Sequence, residues 1–221
     1  MAQTVERTID RREIKHLVIA GWTGRNVEAL EKHILELEAL GVKRPKSTPI
    51  FYRVSADLLT TRPSIEVLGT GSTGEVEFVL FSLADGLWVG LGSDHTDRKA
   101  ETIGVSLSKQ MCAKPIAATA WRYEDIRPHW DQLMLRSDVR RGGERKLYQE
   151  GFVATMRPPD ELIKLYTGDM TLPPGTAMFC GTLAVHGNIA FADRFEMELN
   201  DPVLGRTISH AYTISTLPDE G

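Results

Sequence analysis

Helical periodicity is clearest near the start of the chain. Asn26 precedes a run in which apolar residues recur every three or four positions, and Gly41 follows that run. The apolar members of the run are Val27, Leu30, Ile34, Leu37 and Leu40. Asparagine is a favourable N-cap and glycine commonly ends a helix, so this pattern predicts an amphipathic helix. The apolar run before it, residues 16–20 (HLVIA), predicts a buried strand.

Strand periodicity replaces helical periodicity from Ile65 onward. In residues 76–81 (VEFVLF), one set of alternating positions is wholly apolar, which is typical of a strand with one face in a core. Residues 84–86 (Ala-Asp-Gly) carry a turn signal, and residues 87–91 form a second apolar run. Together these segments predict a β-hairpin.

The second half of the chain is rich in predicted strands. A short helix is predicted for residues 159–166, and beyond residue 171 short apolar segments alternate with glycine and proline. Few helices and many short strands predict an α+β fold. We expect residues 1–221 to form a single domain, with residues 1–14 as an N-terminal extension.

Composition and charge exclude several classes of protein. The 221 residues are 42% hydrophobic and 25% charged, which is globular composition, and no apolar run is long enough to span a membrane. The net charge of −4 argues against a nucleic-acid-binding protein. Cys112 and Cys180 show no metal-binding spacing, and the N-terminus lacks the apolar stretch of a signal peptide. We therefore expect a cytoplasmic protein with free thiols.

Residues 69–74 (GTGSTG) match the glycine spacing of dinucleotide-binding proteins. That motif requires a helix after the glycines, because the helix N-terminus binds the phosphates. The segment that follows, residues 74–81, has a strand pattern instead. The glycines are therefore interpreted as a turn between two strands.

Three acidic residues around the predicted hairpin are candidate metal ligands. Glu75 and Glu77 are two positions apart on a strand, so their side chains share a face. Asp94 follows the returning strand, which the hairpin brings back beside the glutamates. Three carboxylates with room for water suit Mg²⁺ or Mn²⁺. From the residues alone, a solvated strand face with alternating charges is an equally good interpretation.

Five segments, in the same order, resemble the fumarylacetoacetate hydrolase family. The metal-binding core of that family has a Glu-x-Glu strand, followed by a strand that ends in a Gly-x-x-x-Asp-x-x-x-Arg pattern. The resemblance covers roughly residues 15–215 and also indicates a poorly characterised bacterial branch of the superfamily. The matching segments are residues 24–26, 74–81 with 89–101, 115–118 with 124–126, 172–175, and 180–182.

The resemblance implies a fold, a metal and a set of site residues. The fold is a mixed β-sandwich roll, usually dimeric, so a homodimer is expected. Glu75, Glu77 and Asp94 would bind Mg²⁺ or Mn²⁺. Lys109 lies one residue from an ungapped match to the active-site lysine of the family, and Thr182 falls where the family holds a substrate carboxylate. Arg25, in the matching Gly-Arg-Asn segment, is a further substrate-binding candidate. Tyr52 and Arg53 could meet a substrate carboxylate, since arginine suits bidentate anion binding, and a structural role for Arg53 in closing a lid is an equally good interpretation.

The sequence departs from the family at the position of the general base. Leu30 stands where the family often carries a catalytic histidine, and the nearest histidine is His33. His186 follows the Gly-Thr segment and is a second candidate for a base or a substrate contact. Arg53 replaces the lysine that the family usually has before its lid strand.

The resemblance implies a reaction class rather than one reaction. Family members chelate a 2-oxo acid or 1,3-dicarbonyl unit through the metal and stabilise the enolate that forms. The first hypothesis is hydrolysis of a carbon–carbon bond in an acylpyruvate-like substrate, and so a small-molecule carboxylate as the partner. A lyase, either a 2-oxo-acid decarboxylase or a sugar-acid dehydratase, is the alternative. A third possibility is an inactive member that binds a small acid or serves in an assembly.

Overall fold

The computed structural model describes residues 5–39, 44–189 and 191–220, except for the side chains of residues 33, 36, 37 and 39. The α-helices in these ranges are α1 Val27–Ala39, α2 Arg98–Glu101, α3 Val105–Met111, α4 Tyr123–Ile126 and α5 Pro159–Thr167. The strands are β1 Glu6–Thr8, β2 His16–Gly21, β3 Ile50–Val54, β4 Leu59–Thr60, β5 Ser64–Leu68, β6 Ser72–Thr73, β7 Val76–Leu83, β8 Gly86–Ser93, β9 Thr96–Asp97, β10 Lys114–Arg122, β11 Met134–Arg141, β12 Glu144–Phe152, β13 Thr176–Thr182, β14 Arg194–Asp201 and β15 Arg206–Leu217.

Two mixed sheets dominate the described part of the chain. The larger has the strand order β1-β10-β8-β7-β13-β2-β3, and β4 pairs with β10 beside this path. The smaller has the order β12-β11-β14-β15-β5. Parallel pairs occur in both sheets, between β13 and β2 and between β15 and β5. The short strands β6 and β9 pair with each other alone.

The main hydrophobic core lies between the two sheets. One face of β7 contributes Val76, Phe78 and Leu80, and the smaller sheet contributes Phe195 and Tyr212, among others. The opposite face of β7 packs into a second cluster through Val79 and Phe81. Because side chains alternate along a strand, the apolar pattern predicted from the sequence places Glu77 on this second face.

The predicted local elements agree with the structure. The amphipathic helix is α1, the short helix is α5, and β7 and β8 form the hairpin with a turn at residues 84–85. Leu40 and Gly41, the predicted end of the first helix, lie outside the described residues. Within the predicted N-terminal extension, β1 pairs with β10 at the edge of the larger sheet. Few helices and many short strands confirm the predicted α+β class.

Candidate metal centre

The β7–β8 hairpin brings the three predicted ligands together. Its register pairs Val76 with Ser93, so Asp94 lies opposite Glu75, and the Asp94 amide donates to the Glu75 carbonyl over 3.0 Å. One carboxylate oxygen from each of Glu75, Glu77 and Asp94 lies within 4.8 Å of the other two. The hairpin therefore places Asp94 beside the two glutamates.

The neighbouring strand β13 completes the surroundings of Glu77. The backbone amide of Gly181 donates to Glu77 Oε2 over 2.7 Å, and Thr182 lies opposite Glu77 in the register of β13 and β7. Glu77 and Asp94 are buried, while Glu75 retains partial exposure. The site is therefore a largely desolvated acidic cluster that reaches the surface on the side of Glu75.

Two buried lysines face Asp94. Lys109, on α3, contacts Asp94 Oδ2 and lies with its Nζ 3.9 Å from Glu75 Oε2. Lys114, at the start of β10, lies with its Nζ 3.1 Å from Asp94 Oδ1 and also donates to the backbone carbonyl of His95. The side chain of Lys114 is fully buried. Asp94 thus lies between two ammonium groups.

Arg98 connects Glu75 to the short helix α2. Its Nη2 lies 2.8 Å from Glu75 Oε1, and its Nη1 lies 3.1 Å from Glu101 Oε2. Its Nε donates to the hydroxyl of Thr73 over 2.7 Å, and its backbone amide donates to the Gly71 carbonyl. This arginine is the last residue of the Gly-x-x-x-Asp-x-x-x-Arg pattern, and the structure shows that it orients Glu75.

The charges shift the pKa values of the carboxyls in opposite directions. Burial disfavours the ionised form of Asp94, but the charges of Lys109 and Lys114 outweigh burial and lower its pKa to about 2. Burial raises the pKa of Glu77 well above its usual value, and the charges of Asp94 and Glu75 raise it further. The pKa of Lys109 is raised, since its acidic neighbours outweigh burial. Asp94 and Lys109 are therefore an ion pair, and Glu77 requires a nearby cation to ionise readily.

These residues fit a hard divalent cation. Asp94 Oδ1 is buried and accepts no hydrogen bond within the described structure, although Lys114 is close enough for an ion pair. A buried carboxylate oxygen that accepts no hydrogen bond of normal geometry is rare, and a metal ion would give this oxygen a second positive partner beside Lys114. The same ion would offset the repulsion that raises the pKa of Glu77. Carboxylate oxygens are the preferred ligands of Mg²⁺ and Mn²⁺.

Thr182 lies beside Glu77, but its hydroxyl already takes part in two hydrogen bonds. Its Oγ1 donates to the Val76 carbonyl over 2.7 Å and accepts from Gln149 Nε2 over 2.7 Å. Gln149 is itself buried and accepts from the Val76 amide over 3.0 Å. The hydroxyl of Thr182 therefore ties β13 to β7 beside Glu77.

The structure places Arg53 away from the carboxylates. Its guanidinium lies 3.0 Å from His16 Nδ1 and 3.5 Å from the hydroxyl of Tyr166, on an exposed face of β3. Adjacent strand residues point to opposite faces, so its neighbour Tyr52 faces the other way. The charges of Lys109 and Asp94 both affect the pKa of Tyr52, which burial raises overall. Of these two residues, Tyr52 is the one whose electrostatic surroundings include Lys109 and Asp94.

The other predicted site residues do not touch the carboxylates in the described structure. Arg25 forms a two-pronged ion pair with Asp131, at 2.8 and 2.9 Å, and its Nε donates to the Met156 carbonyl. His186 is exposed and, together with Thr182, lines a surface cleft of about 430 Å³. The backbone of His33 lies in α1, but its side chain is outside the description.

The glycine-rich segment has no dinucleotide-binding geometry. Gly69 adopts a φ of 59°, a left-handed turn conformation that favours glycine, and strands β6 and β7 follow instead of a helix. A Cβ atom on Gly74 would lie 2.7 Å from the ring of Phe195 and 2.8 Å from the hydroxyl of Tyr212. These glycines serve the turn and the close packing of the segment that carries Glu75.

A family profile described as "Protein of unknown function (DUF2848)" matches residues 20–212, most of the chain. This chain belongs to the DUF2848 family. Among curated proteins, no sequence matches it significantly. No described helix combines the length and apolar composition that a bilayer-spanning segment needs.

Solved structures show the wider relationship of this DUF2848 chain. A yeast fumarylacetoacetate hydrolase family protein, ynq8, has a TM-score of 0.66 at 15% identity, over 93% of this chain and 95% of the other. A 2-keto-3-deoxy-D-arabinonate dehydratase complexed with magnesium and 2,5-dioxopentanoate has a TM-score of 0.66 at 18% identity, over 94% and 75%. The protein Cg1458 has a TM-score of 0.67 at 18% identity, over 93% and 77%. The fold is that of the fumarylacetoacetate hydrolase family, which confirms the predicted resemblance.

Sequence reasoning missed Lys114 entirely. It opens β10 and its side chain is fully buried, and the segment that follows it, residues 115–121 (PIAATAW), has no other charge. The sequence feature that could have identified Lys114 is a single lysine at the start of an apolar strand, because a buried lysine needs an acidic partner. His95, next to Asp94 in the chain, is fully buried and hydrogen-bonded at both ring nitrogens.

Proposed function

We propose that Glu75, Glu77 and Asp94 bind one divalent metal ion, Mg²⁺ or Mn²⁺, and that the protein is a metal-dependent enzyme. The convergence of three carboxylates, with a buried Asp94 oxygen that accepts no hydrogen bond, is the observation that carries this proposal. Acidic clusters without a metal are common on protein surfaces. This cluster is largely buried, and among the described residues Glu77 is its one member without a salt bridge, which is unfavourable for the ionised carboxylate.

The proposed substrate is a small 2-oxo acid or 1,3-dicarbonyl compound. Bound at the triad, the metal would polarise the substrate carbonyl and stabilise negative charge on its oxygen. Two observations support this substrate class: the fold, and the fold neighbour that was crystallised with magnesium and 2,5-dioxopentanoate. At 18% identity that neighbour supplies the fold alone, so the substrate class is part of the proposal.

Within this scheme Lys109 orients the substrate. Its ammonium touches Asp94 and lies 3.9 Å from Glu75, so it provides positive charge at the edge of the triad. A substrate carboxylate beside it would gain a charge-assisted hydrogen bond. Without a metal, the charges of its acidic neighbours raise the pKa of Lys109 despite its burial, so the side chain is protonated in that state. Tyr52, on β3, is a further candidate for a substrate contact, because the charges of Lys109 and Asp94 both affect its pKa.

Hydrolysis of a carbon–carbon bond in an acylpyruvate-like substrate needs a base that activates water. His186 and His33 are the sequence-based candidates. Of the two, His186 lies on the surface cleft beside Thr182 and would reach a substrate only from that side.

A lyase, either a 2-oxo-acid decarboxylase or a sugar-acid dehydratase, needs no activated water. One observation favours it: the histidine nearest to the triad in the described structure is His95, which is buried and held by hydrogen bonds from both sides. Burial, followed by the charges of Lys114 and Arg98, lowers the pKa of His95 to about 3. The site as described therefore supports a lyase better than a hydrolase.

A substrate screen separates these reactions. Metal-loaded protein would be incubated with acylpyruvates and with 3-deoxy-2-oxo sugar acids, and the products identified by mass spectrometry. Addition of water with chain cleavage indicates a hydrolase, whereas loss of water or of carbon dioxide indicates a lyase. Glu75→Gln is the matched control, in which turnover should disappear. Metal binding without turnover of any 2-oxo acid would instead indicate a small-acid-binding protein.

A further inference from the structure

The hydroxyl of Tyr212 touches both chain neighbours of Asp94. Tyr212 lies on β15 and is fully buried between the two sheets. Its hydroxyl oxygen is 2.8 Å from Ser93 Oγ and 3.0 Å from His95 Nδ1. Side chains alternate along an extended chain, so Ser93 and His95 point into the sandwich while Asp94 points to the carboxylate cluster. One phenol thus holds the segment on both sides of Asp94.

The same contacts extend to Glu75. The backbone amide of Glu75 donates to Ser93 Oγ over 3.2 Å, so Tyr212 and Glu75 share one serine hydroxyl. At the other end, His95 Nε2 lies 2.9 Å from the hydroxyl of Ser72 on β6. A continuous hydrogen-bonded chain therefore runs from Ser72 through His95, Tyr212 and Ser93 to the backbone of Glu75.

Packing at Gly74 adds an independent contact. A Cβ atom at this position would lie only 2.8 Å from the Tyr212 hydroxyl and 2.7 Å from the Phe195 ring. Gly74 directly precedes Glu75, so the backbone that carries Glu75 rests against Tyr212. The smaller sheet, through Tyr212, contacts both segments that supply the acidic ligands.

We propose that Tyr212 is a positioning residue that sets the spacing between Glu75 and Asp94 for metal binding. This inference rests on the metal site described under the proposed function. A small divalent ion tolerates little error in the placement of its ligands. Groups that hold ligands in place typically change metal affinity by roughly 10–100-fold when removed. Tyr212 acts through Ser93 and His95 and touches no ligand carboxylate in this arrangement.

Mn²⁺ titration of chelator-treated protein by calorimetry tests the inference. Tyr212→Phe keeps the ring and removes only the hydroxyl, and it should weaken Mn²⁺ binding by about tenfold or more. The matched control is Tyr123→Phe, another buried tyrosine, whose pKa is raised by burial and by the charge of Asp160 rather than by the carboxylate triad. The control should lose a tyrosine hydroxyl away from the triad and bind Mn²⁺ as the wild type does.

A second readout separates positioning from simple stability. Amide hydrogen exchange of the metal-free protein should be faster at Glu75 in Tyr212→Phe, since Ser93 loses its second partner, and unchanged there in Tyr123→Phe. Should Tyr212→Phe fail to fold, Ser93→Ala tests the same link and should weaken Mn²⁺ binding in the same direction.

Three results of these titrations would overturn the proposed role of Tyr212. Folded Tyr212→Phe that binds Mn²⁺ as tightly as the wild type overturns the positioning role and leaves the metal site standing. Equal weakening in Tyr123→Phe and Tyr212→Phe also overturns it, because the effect then follows global stability. A wild type that binds no Mn²⁺ overturns the metal site itself, and the inference with it.

Discussion

Two clusters of opposite charges in this protein differ chiefly in the exposure of their basic side chains. On the outer face of the smaller sheet, Arg145 lies 3.1 Å from both Asp138 and Glu196, and Arg140 lies 2.7 Å from Glu196. These arginine side chains retain more than 40% of their exposure. Around Asp94, by contrast, the carboxylate and the two lysines are almost completely shielded.

Ion pairs of similar composition therefore differ in how much they affect stability. Exposed pairs are screened by water and salt and contribute little to stability. A buried charge that loses its partner is strongly unfavourable, so every group around Asp94 depends on the others. The outer cluster is expected to tolerate change, whereas loss of one charge in the inner cluster would leave a buried partner unpaired. The predictions below test this difference.

The largest effect is expected for Asp94→Asn. The substitution keeps the shape of the side chain and leaves Lys109 and Lys114 buried without their shared counter-charge. Unfolding free energy in urea with a chelator present should fall by about 3–5 kcal/mol, and Mn²⁺ binding should disappear. A decrease in unfolding free energy of less than about 1 kcal/mol would mean that the inner cluster contributes no more to stability than exposed ion pairs do.

A pH effect of intermediate size is expected from Glu77 in the metal-free protein. Its pKa is raised above the usual 4.5, chiefly by burial, so folding favours its protonated form. The stability that Glu77 contributes is complete below pH 4.5 and is lost as the pH rises through its raised value. Asp94, with a pKa of about 2, has the opposite sign: its contribution is present above pH 3.8 and is lost towards pH 2.

Comparison of the wild type with Glu77→Gln isolates the Glu77 effect. The variant cannot ionise at this position, so the wild type should lose stability relative to it as the pH rises above 4.5. Chemical denaturation at several pH values, with chelator, measures the difference. A difference that stays constant with pH would show that Glu77 has an ordinary pKa, and that no unbalanced carboxylate is present.

The smallest effect is expected for Arg145→Gln on the outer sheet face. Arg145 contacts Asp138 and Glu196, but it is about half exposed. Its removal should reduce the unfolding free energy by less than about 1 kcal/mol, and the reduction should shrink as salt is added. A larger loss that salt does not change would mean that the outer cluster is as strongly coupled as the inner one.

Local patterns in the sequence predicted the elements that carry the site. The period of two in β7 and the turn at residues 84–86 were enough to place Asp94 near Glu75 and Glu77. This worked because a hairpin joins neighbours in sequence, so its register follows from turn position alone. The helix α1 followed from its apolar spacing for the same local reason.

Contacts between distant segments could not be derived in the same way. Gly181 on β13 reaches Glu77, and Tyr212 on β15 reaches Ser93, although more than 100 residues separate the members of each pair. Such contacts depend on the order of strands in the sheets, which apolar alternation does not encode. For a related reason the sequence could not show on which face of β3 Arg53 and Tyr52 lie, because a shift of one residue exchanges the two faces of a strand.

Metal binding by Glu75, Glu77 and Asp94 can be measured by calorimetry. Mn²⁺ and Mg²⁺ would be titrated into chelator-treated wild type, Glu75→Gln and Glu101→Gln. Glu101 also pairs with Arg98 but lies outside the triad, which makes it the matched control. We expect one saturable site in the wild type, retained in Glu101→Gln and lost in Glu75→Gln. If the wild type binds neither ion, the proposed metal site is wrong, and the resemblance to the family is one of fold alone.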